Sequence, residues 1–272
     1  MLNDTMAEIE LREDARYFAV PGAHLYTVLH QAKDAIGRVL LVGPFAAERH
    51  FSYHPWVRWA RYLAARGYEV LRFDYRGIGE STGVFQEMSF EHWLEDVRLL
   101  ADWYQRRSPS LPFLIHGLEV GALLAAAAFR RDLGDGLLLW SPPPTANQAL
   151  RSALVRWAGL EQIWDSLDNR KSAAEYIREL EQGIPVEVQG YEWSARLWHD
   201  SSLLDLHSIL GTELQDPTNF GRPVKIDKLT KEAAPLVWPH LMYQEMRDLD
   251  WLYTQTFDSL PNLLARPDAR LA

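Results

Sequence analysis

Between residues 39 and 140 the apolar and polar positions follow a repeating rhythm. Continuous apolar runs at Val39-Leu40-Leu41-Val42, Pro112-Phe113-Leu114-Ile115 and Gly136-Leu137-Leu138-Leu139-Trp140 have the length of strands buried on both faces. Glu69-Val70-Leu71-Arg72-Phe73 predicts one more strand. The segments between them place apolar residues at helical spacing. Trp59, Leu63 and Ala64 share a side of a predicted helix over 56–66 that Gly67 ends. Leu94, Val97, Leu100, Ala101 and Tyr104 form the stripe of a second helix behind Ser89, a good N-cap. Ser89 with His92 falls short of a full capping box, which carries Glu or Gln three residues on. Strand and helix in alternation, with short connections, mean βαβ units and a parallel sheet covered by helices on both faces.

Outside that region the pattern changes. Residues 17–32 read as two short strands around the turn Pro21-Gly22-Ala23. After Thr145 helices are predicted over 147–164 and 172–182, and an extended segment over 185–192. Residues 212–231 are polar and assign to no element. A closing helix over 239–260 brings Leu249, Leu252, Thr256 and Leu260 near one face.

Composition narrows the function classes. The chain has 272 residues and is 47% hydrophobic, which suits one α/β domain over 1–272 with a lid insertion and argues against disorder. A net charge of −9 argues against nucleic acid as a partner, because phosphate contacts need a basic face. The absence of cysteine excludes disulfides, thiol catalysis and Cys-ligated zinc, and fits the cytoplasm. The acidic segment 1–16 lacks the apolar core of a signal peptide. The most apolar window, 118–129, is too short to span a bilayer and contains Glu119. No close pair of ligands such as H-E-x-x-H argues for a metal, and no cofactor is expected. Gly77-Ile78-Gly79-Glu80-Ser81-Thr82-Gly83 matches a dinucleotide loop only loosely and does not open a helix at the right place. The eleven tryptophans are read as core residues.

The candidate chemistry centres on Gly117-Leu118-Glu119-Val120-Gly121. An apolar strand leads in and the small-residue helix 122–128 leads out. That is the context of a G-x-S-x-G nucleophile elbow, with glutamate in place of serine. The loop Phe73-Asp74-Tyr75-Arg76-Gly77-Ile78-Gly79-Glu80-Ser81 matches F-D-x-R-G-x-G-x-S, one helix and one strand before the elbow. With these motifs, residues 39–143 resemble the α/β-hydrolase fold. Gly43-Pro44-Phe45-Ala46-Ala47-Glu48, the elbow, Leu138-Leu139-Trp140-Ser141-Pro142 and Val186-Glu187-Val188-Gln189-Gly190-Tyr191-Glu192-Trp193-Ser194 are similar to bacterial hydrolase-like proteins of exosortase and exopolysaccharide gene clusters. The resemblance covers roughly 37–200 and implies a helical lid over about 145–200. Members of that group often carry a residue other than serine at the elbow.

The resemblance implies a ligand site above the carboxyl ends of the strands, near Glu119, Phe45 and Ser141, for a small acyl or ester-like molecule. The Val120 amide and one near Phe45 or Ala46 are expected to form an oxyanion hole. Glu119 has three readings: a carboxylate nucleophile, a general acid or base with a raised pKa, or a relic in a binding or scaffold protein. The order nucleophile, acid, histidine nominates Asp216, with Asp227 as an alternative, and His240. His116 is expected beneath the elbow, where it packs or orients Glu119. His199 and His207 fall beside the lid, and Asp74 is expected to hold its own loop.

Overall fold

The computed structural model describes residues 12–164, 170–211, 222–229 and 249–265. The strands are β1 (Arg12–Val20), β2 (Ala23–Gln31), β3 (Gly37–Val42), β4 (Tyr68–Phe73), β5 (Phe113–Leu118), β6 (Gly136–Trp140), β7 (Val186–Val188), β8 (Tyr191–Trp193) and β9 (Val224–Asp227). Among the described residues, seven make one sheet in the order β1-β2-β4-β3-β5-β6-β9. The pairings from β4 to β9 are parallel, and β2 joins β4 and β1 in antiparallel register. The three continuous apolar runs are β3, β5 and β6, buried at every residue in the middle of the sheet.

Helices cover both faces. On one face α1 (Ala46–Ala64), α8 (Asp250–Phe257) and α9 (Leu260–Leu264) bury Trp56, Trp59, Leu63, Leu252, Tyr253 and Leu263 against Val39, Leu41, Leu114 and Leu138. On the other, α2 (Phe90–Arg107) and α3 (Val120–Phe129) pack Trp93, Val97, Leu123 and Ala126 on Leu40, Ile115 and Leu139. The segment between β6 and β9 carries α4 (Ala146–Trp164), α5 (Ala173–Glu181), the β7–β8 hairpin, α6 (Ala195–Asp200) and α7 (Leu206–Leu210). The hairpin turns at Gln189 and Gly190, both at positive φ, the conformation a two-residue turn requires.

Several sequence expectations need correction. Helix α1 begins ten residues before the predicted Trp56, because Pro55 reads as a break yet lies inside the helix. His92 does take the Glu position of a capping box: the Ser89 amide donates to its Nδ1 at 3.2 Å. Strand β1 starts at Arg12, before the expected position 17, since the charges of an exposed edge strand hide the alternation. The polar stretch 212–231 hides β9, four residues long. Within 239–260, residues 239–248 lie outside the described residues, and from Leu249 the chain forms two helices interrupted at Asp258–Ser259. Leu249, Leu252, Thr256 and Leu260 are all buried, as their spacing implies.

Two glycines decide how α3 meets the sheet. A Cβ on Gly121 would stand 2.0 Å from the Gly43 carbonyl oxygen, and one on Gly117 would stand 2.4 Å from Ala122 Cα. Both obstacles are backbone, so relief requires moving an element. We expect Gly121→Ala to lower stability by about 3 kcal/mol, at the upper end for overpacking. The denaturant midpoint measures it, and an unchanged midpoint would show that α3 is free to shift.

Candidate active site

Glu119 is the N-cap of α3, at φ 54° and ψ −128°. A non-glycine residue at positive φ is strained, and here the neighbouring backbone holds it. The Glu119 amide donates to the Trp140 carbonyl at 3.0 Å, and its own carbonyl accepts from the Ala122 amide at 2.9 Å. The side chain is thereby aimed off the end of β5, away from the sheet.

It meets a cavity of about 160 Å³ lined by Phe45, Glu48, Glu119, Val120, Ser141 and the first two turns of α4, with Arg156 at its edge. The structure therefore brings Phe45, Glu119, Val120 and Ser141 together. Ala46, also nominated, is the first residue of α1, at φ 40°, and is not part of the lining. Val120 and Ala46 each open a helix, so neither amide has an intrahelical acceptor. Among the described residues the amides of Phe45, Ala46 and Val120 donate to no other group.

Two charged residues at this cavity were not foreseen. Arg156 Nη2 pairs with Glu48 Oε1, and 14% of the Glu48 side chain is exposed. Glu48 lay within the Gly43–Glu48 stretch of the sequence without drawing attention. Arg156 had a signal: it follows Ala149 and Ala153 at helical spacing, on the inward side of α4, where a charge is out of place.

These charges set the protonation of Glu119. Burial pushes its carboxyl up first, the neighbouring Glu48 charge adds to the rise, and Arg156 opposes it, leaving a value of about 7. Burial also raises Glu48, against the pull of Arg156. Among the described residues, no hydrogen bond reaches the Glu119 carboxyl.

His116 does not orient Glu119. Its ring lies on the α1 face of the sheet between Trp56, Trp59 and Trp140, with centroids 5.1, 6.3 and 4.6 Å away. Its Nδ1 is 3.2 Å from the Leu138 carbonyl, and burial holds its pKa down at about 3. His199 and His207 are exposed on α6 and α7. The nominated His240 and Asp216 lie outside the described residues. Asp227 ends β9 beside Trp140 and pairs with Lys225 at 3.0 Å.

Other polar residues near the mouth are structural. Ser141 accepts the Leu229 amide at 2.9 Å, and its own amide donates to the Asp227 carbonyl at 2.8 Å, so it joins β6 to the segment after β9. Asp74 accepts from Arg49 and from the Glu80 amide, and Ser81 donates to the Asp74 carbonyl at 2.5 Å. Asp96, buried on α2, takes the Arg76 amide and guanidinium and fixes the same loop. Among the described residues no group of three possible ligands surrounds a metal position, and no helix is long and apolar enough to cross a membrane.

Comparison with solved structures decides the fold. Est1E from Butyrivibrio proteoclasticus, solved with ferulic acid bound, superposes with a TM-score of 0.63 over 93% of this chain and 100% of its own, at 14% identity. The α/β hydrolase GrgF from Penicillium sp. gives 0.60 over 93% and 99%, at 18% identity. A monoglyceride lipase from Saccharomyces cerevisiae gives 0.52 over 79% and 75%, also at 18% identity. The chain has the α/β-hydrolase fold. A family model described as serine aminopeptidase, S33, matches residues 49–174 of the chain, somewhat less than half of it. The lysophosphatidylserine lipase ABHD12 of Xenopus tropicalis is 33% identical over 95 residues, which cover 33% of this chain and 24% of that protein. The Danio rerio counterpart is 34% identical over the same length. The matched stretch thus spans about a quarter of those curated relatives.

The pKa of Glu119 has a consequence for stability. Its folded value lies above the ordinary carboxyl value of 4.5, so the folded chain keeps a proton that the unfolded chain has lost between pH 4.5 and about 7. Stability from holding that proton is complete below pH 4.5 and is lost as pH rises through about 7. Relative to Glu119→Gln, which does not titrate, the wild type should lose about 2–3 kcal/mol across this window. Urea unfolding of both proteins at several pH values measures the difference; parallel profiles would contradict it.

Proposed function

We propose that this α/β-hydrolase hydrolyses small ester-like or acyl substrates without a serine nucleophile, using Glu119 as general base. One observation carries the reading: an elbow carboxyl faces a cavity beside unpaired helix-start amides, with its pKa raised to about 7. A carboxyl of ordinary acidity is too weak a base to take a proton from water. One poised near neutrality is well matched to the task.

The reaction follows from those parts. The Glu119 carboxylate takes a proton from a water as the water oxygen bonds to the acyl carbon. The carbonyl electron pair moves onto its oxygen, and the oxyanion so formed accepts hydrogen bonds from the Val120 amide and one of Phe45 or Ala46. When the pair returns, the bond to the leaving oxygen breaks, and Glu119 gives its proton to that oxygen. The covalent alternative needs a histidine to activate water against a glutamyl ester. A nucleophile acts as the ionised carboxylate, so a carboxyl whose proton affinity is raised to about 7 favours the general base. In this reading residues 145–200 act as the lid of a single domain, with α4 as the roof. The resemblance to exosortase-associated hydrolase-like proteins supports a role in exopolysaccharide metabolism, and the lack of cysteine supports a cytoplasmic setting.

A second reading, a binding or scaffold protein without catalysis, is favoured by the same carboxyl having no hydrogen bond to orient it among the described residues. A panel of short acyl esters separates the two. Under the first, kcat/KM rises with pH through about 7, and Glu119→Gln lowers it by about 10²–10⁴-fold with KM little changed. Arg156→Gln should move the profile to higher pH, because the cation that favours the carboxylate is gone. A wild type inert across the panel, with Glu119→Ser gaining activity, favours the second.

A further inference from the structure

The geometry points to a binding site for a small monovalent anion of chloride size between α1 and β4, centred on Arg72. The site lies apart from the Glu119 cavity. Arg72 is only 8% exposed. Its Nε donates to His30 Nε2 at 3.1 Å and its Nη1 to the Tyr53 hydroxyl at 3.3 Å. Burial holds the His30 imidazole down at about 4, so it brings no charge of its own to the guanidinium. Nη2 makes no hydrogen bond, and no carboxylate pairs with Arg72 among the described residues.

The neighbouring charges are already matched. Arg49 is clamped on Asp74, with Nη2 2.6 and 2.7 Å from the two carboxylate oxygens, and Arg61 pairs with Glu13 at 2.6 Å. Arg72 is therefore a largely buried cation in surplus. Removing a guanidinium from water without a counter-charge is costly, so the site favours an anion. Arg49 and Arg72 also lie over the same Tyr53 ring, 4.9 and 5.3 Å from its centroid, which brings two like charges together.

A cavity of about 20 Å³ opens at this point, and its polar lining is Arg49, Ser52, Tyr53, Arg72 and Asp74, whose carboxylate is already matched by Arg49. One water needs about 10–15 Å³ measured this way, so the space suits a single particle of that size. A bound anion would link β4 to the first turns of α1, beneath the segment that leads to Phe45.

The full chain in chloride buffer tests the proposal. The NMR line of chloride should broaden with wild-type protein, and the broadening should be lost in Arg72→Gln and kept in Arg58→Gln, a change at a surface arginine. The wild type should also melt at a higher temperature in chloride than in gluconate of equal ionic strength. Broadening that survives in folded Arg72→Gln, or a wild-type line as narrow as in buffer alone, overturns the proposal. If Arg72→Gln does not fold, wild-type crystals soaked in bromide decide. An anomalous peak within hydrogen-bonding distance of Arg72 Nη2 supports the site, and its absence overturns it.

Discussion

The contact between Gly121 and the end of β3 governs the rest of the site. With no side chain at residue 121, α3 starts hard against the carbonyls of Val42 and Gly43. The chain leaves β5 and enters that helix within one residue, and Glu119 absorbs the turn at positive φ. The strain of that position is met by backbone hydrogen bonds to Trp140 and Ala122 rather than by anything its side chain does. The same packing sets the starts of α1 and α3 side by side, with their first amides unused. Nothing in this arrangement depends on the chemistry of the residue at the elbow, so the backbone persists with a glutamate there.

Much of this was legible in the sequence, for identifiable reasons. Strands β3, β5 and β6 are buried on both faces and so appear as unbroken apolar runs. The glycines at 117 and 121 mark a close approach that no other residue allows. Legibility failed where burial was partial or charge was buried. Strand β9 has one buried residue in four and does not stand out from its polar surroundings. Helix α1 extends through Pro55, a residue that normally argues for a break. At the site, Phe45, Glu119, Val120 and Ser141 follow from their positions relative to strand ends. Arg156 shows in the sequence only as a charge on the inward side of α4, and that it meets Glu48 depends on how α4 lies over α1, a tertiary relation with no local signature.

The three charged residues at the cavity act as one system. Glu48 and Arg156 neutralise each other, so Glu119 faces a pair with little net charge instead of a cation of its own. A carboxyl with a dedicated arginine would be held ionised and acidic. A carboxyl with neither partner nor burial would be ordinary. Glu119 lies between these cases, and its proton affinity depends on how dry the cavity is.

Magnitudes decide which influence prevails at Glu119. Its place at the start of α3 favours the carboxylate through the helix dipole, by about 0.3–1 kcal/mol in exposed settings. The rise from 4.5 to about 7 amounts to roughly 3 kcal/mol in the other direction. Burial with Glu48 therefore outweighs the helix start. A serine hydroxyl at the same point is neutral and meets no such cost, so the same backbone accommodates either side chain at different expense. Burial is also the largest of the influences on Glu119, and Arg156 the smallest. Helix α4 lines the cavity with Ala149 and Ala153, which exclude water, and with Arg156, which favours the carboxylate, and of these opposed influences burial prevails.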